Sequence, residues 1–190
     1  MGMDSNKKMS LKYIPDYLTL LVFAGAIIIL DQLSKGAVRA NLALGEMWVP
    51  WDWLAPYARI VHWKNTGAAF GILPGLSVVF TILPMIVAVV ILYYYPRVPR
   101  EDWILRLAMT MQFGGAVGNL FDRLTIGWVT DFISVWKFPV FNIADACITM
   151  GTVILILGIW HKERTQESSS LVPEVESPSE PVVEKVPEEN

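Results

Sequence analysis

A single cysteine, Cys147, stands in 190 residues. That excludes an intrachain disulfide framework and a cysteine-based structural zinc site. Two histidines, His62 and His161, are too few for a histidine-rich metal centre. Charge is also scarce: 17% of the residues are Asp, Glu, Lys or Arg, against ~25% in a typical soluble domain. No basic stripe marks a nucleic-acid surface. The formal charge of −3 is unevenly spread: from His161 onward eight acids face three bases, which leaves residues 1–160 at +2. What fills the chain instead is apolar. Hydrophobic residues make up 54%, above the ~45–50% usual for soluble domains. This excludes a mostly disordered chain and points to a membrane protein of one domain.

A span crossing a ~30 Å hydrocarbon core needs ~20 mostly apolar residues. Leu73 to Tyr95 meets this with 23 uncharged residues, although Pro84 interrupts them. A proline is tolerated there if neighbouring helices satisfy the freed carbonyl. Three further runs, Tyr17 to Leu30, Leu107 to Phe121 and Ala146 to Trp160, hold 14 to 15 residues each and stop at Asp31, Asp122 and Asp145 respectively. They become long enough only if those acids sit at membrane depth, where an ionisable group faces the bundle interior or a watered cavity. The expected fold is an α-helical membrane protein of four transmembrane helices, with three of them ending in a carboxylate near one membrane surface. Four spans put both termini on one side. Eight Lys and Arg on that side against six on the other favour cytoplasmic termini.

The first segment also reads as a secretory signal peptide, ending at Ala-Val-Arg-Ala 37–40. Asp31 and Lys35 interrupt it, so a span is preferred. Residues 1–16 then form an N-terminal cytoplasmic segment and 17–160 the membrane domain. Residues 36–72 hold Trp48, Trp51, Trp53, Tyr57 and Trp63, residue types that gather at the membrane interface. They are expected to form an outer-face subdomain of short strands, one at Arg59–Lys64, and an interfacial helix, with an extended loop as the alternative. Residues 161–190 are expected to be a disordered acidic tail, rich in Ser, Pro and Glu.

Four polar clusters do not belong in a bilayer. Asp31 and Lys35 share a helix face at i and i+4; they read as a helix-end ion pair or as support for a site. Asn65 to Gly71 reads as a glycine-bearing turn, with Asn65 able to bond a peptide or a carboxylate. Gly114 and Gly118 form a small-xxx-small pair that admits a second helix. Asn119, Asp122 and Arg123 follow on one face. Finally, Asn142 and Asp145 open the last span, where Asn142 can cap the helix and an acid suits its dipole. That dipole does not account for Asp131, 14 residues earlier. A short outer turn through Lys137 and Pro139 can bring Asp131 back beside Asp145.

Two facing carboxylates in a partly desolvated site cannot both ionise cheaply. They would share one proton. The ionised member can then deprotonate water while the protonated one polarises a carbonyl, which is the aspartic-protease arrangement. Cys147 and His62 offer no comparable nucleophile. A proton-relay or transport protein would spread acids through the membrane thickness, and a scaffold would tolerate Asn in place of the acids.

Asp31-Gln-x-x-Lys35, Asn65-x-Gly-x-Ala-Phe-Gly71, Gly114-Gly-x-x-Gly-Asn119-x-x-Asp122-Arg123, Val-x-Asp131-Phe and Phe141-Asn142-x-Ala-Asp145 occur together and in order. Each is weak alone, but the ordered set is specific, and over roughly residues 15–160 the sequence resembles the lipoprotein signal peptidase (signal peptidase II) family. The resemblance implies an aspartic endopeptidase of the bacterial inner membrane. Its substrate would be a diacylglyceryl-modified prolipoprotein, cut just before the lipidated cysteine, with no metal or other cofactor. Asp131 and Asp145 would be the catalytic pair. Asn119, Arg123 and Asn142 would position the substrate backbone and the aspartates, with Asp31, Lys35, Asn65 and Asp122 in support. The outer β-cradle and interfacial helix of the family suit residues 36–72. Membrane lipids and cyclic lipopeptide inhibitors are the other expected partners, nucleic acid is not one, and the chain is expected to act as a monomer. The turn between the two aspartates is shorter than in many relatives, which bears on the loop's substrate contacts and not on the pair.

Overall fold

The computed structural model describes residues 3–67 and 77–170. The second half of the Asn65–Gly71 motif, the start of the uncharged run at Leu73 and residues 171–190 lie outside the described residues. Four long helices dominate: α1 (Met3–Asn41), α2 (Ser77–Tyr94), α3 (Trp103–Thr125) and α4 (Ile143–Ser170). Leu11–Asn41, Val78–Arg97 and Ile143–Arg164 are long and apolar enough to cross a membrane. They carry broad exposed apolar faces, for example Leu18, Leu21, Phe23 and Ile29 on α1 and Ile156 and Leu157 on α4. Such a belt is costly in water and costs little against lipid tails.

α3 is the exception. It packs against α1, α2 and α4 and buries polar as well as apolar residues: Arg106, Thr110, Asn119 and Asp122 beside Ala108, Phe113 and Ala116. A helix packed against three others does not need lipid-like surface on those sides, so it can bury polar groups within the bundle. Glycines permit the tight approach. A Cβ on Gly115 would stand 2.5 Å from the Ala144 carbonyl oxygen of α4, and one on Gly118 would stand 2.8 Å from Asp31 Oδ2 of α1. An apolar core of Leu20, Ala24, Ala88, Ile91, Tyr95, Met109 and Phe113 joins α1, α2 and α3.

At one end of the bundle lies a three-stranded antiparallel sheet in the order β1 (Met47–Trp48), β2 (Ala58–Asn65), β3 (Val129–Val135). β2 contains the expected strand at Arg59–Lys64. The sequence reading confined this subdomain to residues 36–72; the structure corrects that at both edges. Residues 36–41 complete α1, and β3 arrives from beyond α3. Among the described residues of this segment after α1, the helical element is a 3-10 turn at Asp52–Leu54. The register pairs Trp63 with Asp131 and Asn65 with Val129, after a bulge between Ile60 and Trp63. Asp31 is also not at a helix end: α1 runs ten residues beyond it to Asn41. At the other end of the chain, α4 continues to Ser170, into the segment expected to lack structure. Lys162 there bonds Asp102 across the helix ends at 2.6 Å.

Candidate functional site

α1 enters the sheet end as α3 finishes and α4 begins, so their polar residues converge. Asp31 and Lys35 are fully buried and pair at 2.7 Å. Lys35 Nζ also lies 3.4 Å from Asp122 and donates to Asn119 Oδ1 at 2.9 Å. Asp31 Oδ1 accepts the Ala144 backbone N–H at 3.0 Å, which ties α1 to the first turn of α4. Asp122 Oδ2 accepts the Thr130 N–H at 2.9 Å and so anchors β3 to α3. Each buried charge therefore holds two elements together, and each has an opposite charge or backbone donors in contact, as burial demands.

Asn142 caps α4 reciprocally. Its Oδ1 accepts the Asp145 N–H at 2.9 Å, while its own N–H donates to Asp145 Oδ2 at 3.2 Å. This is a capping box with an acid in the third position. The chain after β3 turns at Trp136, with φ of 46°, and returns as Phe141 bridges Ile133. That return sets Asn142 against Asp131: Asn142 Nδ2 donates to Asp131 Oδ1 at 2.7 Å. Asn65 Nδ2 donates to Asp131 Oδ2 at 2.8 Å, and Asn119 Nδ2 donates to Asp145 Oδ1 at 2.7 Å. One residue, Asn142, thus bonds both carboxyls. Asp131 is 1% exposed. Burial first, then the charge of Asp145, push its carboxyl up to about 6, against the hydrogen bonds from Asn65 and Asn142.

All nine residues singled out in the sequence meet here. Arg123, half-buried, lies within electrostatic reach of Asp145, Asp131 and Asp122. It lines a cavity of about 220 Å³ with Thr66, Thr81 and Trp128. Sequence reasoning missed two contributors. Gln32 donates to Asp31 Oδ2 at 3.1 Å and to the Gly118 carbonyl at 3.0 Å. Arg39 donates to Thr130 Oγ1 at 2.8 Å and reaches Asp122 at 3.4 Å. The signal for Arg39 was the i, i+4, i+8 row of Asp31, Lys35 and Arg39 on one helix face.

The helices and this junction define a helical membrane protein with two aspartates, Asp131 and Asp145, bridged by Asn142. A family model described as signal peptidase (SPase) II matches residues 23–161. The lipoprotein signal peptidase of Moorella thermoacetica is 38% identical over 135 residues, 71% of this chain and 88% of that protein. That of Staphylococcus haemolyticus is 30% identical over 156 residues, 80% and 97% of the respective chains. A solved bacterial membrane enzyme, determined in meso at 2.3 Å, superposes with a TM-score of 0.68 at 28% identity, over 82% of this chain and 93% of that one. The chain belongs to the signal peptidase II family and is an aspartic endopeptidase of a bacterial membrane.

Proposed function

We propose that the chain removes the signal peptide from diacylglyceryl-modified prolipoproteins just before the lipidated cysteine, using water activated between Asp131 and Asp145. The observation that carries this is Asn142, whose side-chain amide bonds Asp131 while its backbone N–H bonds Asp145. The charge balance around the pair supports it. Lys35, Arg39 and Arg123 oppose Asp31, Asp122 and a pair bearing one negative charge. A second ionisation would leave an uncompensated charge among buried groups, so the pair keeps one proton. The ionised carboxylate takes a proton from water, and the protonated one polarises the scissile carbonyl. The proton then passes to the departing amine. Asn119 and Asn142 hold the two carboxyls, and Arg123 faces the adjoining cavity, where it can bind the substrate backbone.

α1 ends and α4 begins at this junction, so the start of α1 and the end of α4 lie at the opposite end of the bundle. With α3 as the fourth span and the termini cytoplasmic, the pair sits at the outer surface. A substrate whose diacylglyceryl chains stay in the bilayer presents its cleavage site at that depth. Exposed Trp48, Trp51, Trp53 and Trp63 lie on the same end, as residues of a membrane interface do. Cyclic lipopeptides that combine an acyl chain with a peptide ring are expected to compete for the cleft.

The test follows signal-peptide release from a purified diacylglyceryl-modified prolipoprotein. Asp131→Asn and Asp145→Asn should each lower the rate by at least ~10³-fold, with thermal unfolding confirming that both variants fold. Near-normal release by either folded variant removes the pair from the chemistry.

A further inference from the structure

The bundle end remote from Asp131 and Asp145 holds a second buried charge cluster. Asp16 of α1 is 6% exposed. Arg106 of α3 donates to its Oδ1 at 2.8 Å and to the Val98 carbonyl at 3.0 Å, and the Arg106 guanidinium lies 4.3 Å from the ring centroid of Tyr95. These contacts satisfy Asp16 and fix Arg106. Arg100, from the α2–α3 connection, adds bonds to both Asp16 oxygens at 3.0 and 3.3 Å, yet 62% of its side chain is exposed. Two guanidiniums on one carboxylate leave the cluster at +1. Around it, Asp102 is matched by Lys162 at 2.6 Å, while Glu101 acts electrostatically on Arg100. Among residues 11–16, 95–106 and 161–164, six Lys and Arg meet four acids.

The cluster borders a cavity of about 500 Å³ between α1 and α3, whose wall also includes Thr19 and Thr110, together with Phe23, Trp103 and Leu107. These three are exposed apolar side chains on the membrane-facing surface. Phe23 lies seven residues from Asp16, or ~10 Å along α1 toward the middle of the bundle. The charges thus sit near the helix ends, with Trp103 and Leu107 beside them and Phe23 as the apolar wall deeper along α1. An ion pair serving only to join α1 to α3 would need neither the second arginine nor the space.

We propose that this groove binds a phospholipid of the leaflet opposite the dyad. Its anionic headgroup meets Arg100 and Arg106, whose N–H forks suit phosphate oxygens, and an acyl chain runs along Phe23 and Leu107. An excess of one positive charge favours a lipid with net negative charge over a zwitterionic one. The site lies about 20 Å from the dyad along α1, so occupancy acts on stability and leaves the chemistry untouched.

Delipidated full-length protein in neutral detergent provides the test, with thermal unfolding as the readout. Dioleoylphosphatidylglycerol should raise Tm by about 3–6 °C, dioleoylphosphatidylcholine by less than half as much, and inorganic phosphate not at all. Arg100→Gln, at an exposed position that leaves the Arg106–Asp16 pair intact, should lose most of the shift while keeping wild-type cleavage. Arg97→Gln should keep the shift. Asp16→Asn, which adds a unit of positive charge, should keep or enlarge it. Equal shifts from the two lipids, an undiminished shift in Arg100→Gln or an equal loss in Arg97→Gln would overturn the proposal. A shift reproduced by inorganic phosphate alone would overturn the lipid assignment.

Discussion

Asn65 illustrates how a neutral side chain sets the working range of a carboxyl. Its Nδ2 donates to Asp131 Oδ2 at 2.8 Å, and a donor to a carboxylate favours the ionised form. Removing it raises the Asp131 pKa, already about 6, so the shared proton is held to higher pH. The loss of a hydrogen bond to a charged group is worth roughly one pKa unit. In Asn65→Ala the alkaline limb of kcat/KM should therefore move up by about one unit, with the maximum lowered. A pH profile on the lipidated substrate checks this; a limb that stays put or moves down would separate Asn65 from the Asp131 titration. The residues of this site were legible in the sequence because each was a polar interruption of an apolar run. Gln32 and Arg39 escaped notice for the opposite reason. Arg39 stood in a stretch already polar and was counted as a topology charge, and Gln32 carries no charge to flag its burial.

At the scale of elements, closeness of α3 to its neighbours decides whether the site assembles. A methyl on Gly115 meets backbone, the Ala144 carbonyl at 2.5 Å, which cannot rotate aside. Gly115→Ala should force α4 away and carry Asn142 and Asp145 with it, at a cost of ~1–3 kcal/mol and at least ~10-fold in cleavage. Gly25→Ala on α1, where nothing lies within 4 Å, should be neutral or stabilise by up to ~1 kcal/mol through helix propensity. Thermal unfolding and cleavage of both variants distinguish a packing constraint from general sensitivity to glycine loss. The small-xxx-small pair Gly114 and Gly118 announced the approach of α1, which meets both glycines, but not that of α4 at Gly115, and not every element was as readable. α1 outran its expected end because Asp31, Lys35 and Arg39 look like a stop signal in a linear run, while on a helix they share a face and find partners on α3 and β3. β3 went unrecognised as a strand because it is buried on both faces through Val129–Phe132, so no alternation of polar and apolar residues marks it.

For the molecule as a whole, the decisive quantity is the side of the membrane on which the dyad stands. Basic residues near the span ends vote only eight to six for cytoplasmic termini, but three of the six on the other side, Lys35, Arg39 and Arg123, now have acids around them at the junction. Compensated charges do not anchor a loop as free ones do, but Arg100, Arg106 and Lys162 on the terminal side are paired as well, so the margin stays at two and labelling has to decide. The geometry makes the prediction sharp, because the sheet and the C-terminal end of α4 lie at opposite ends of the bundle. In a background carrying Cys147→Ala, which removes the native thiol, Tyr57→Cys beside β2 should react with a membrane-impermeant maleimide in intact cells. Glu163→Cys, near the end of the α4 span, should react only after permeabilisation. Tyr57 and Glu163 are both exposed, so burial does not account for a difference between them. The reverse pattern would put the aspartates on the cytoplasmic face, away from a lipidated substrate cut at the outer surface. Labelling of both positions in intact cells would mean an even number of crossings between them, and α3 would then not span.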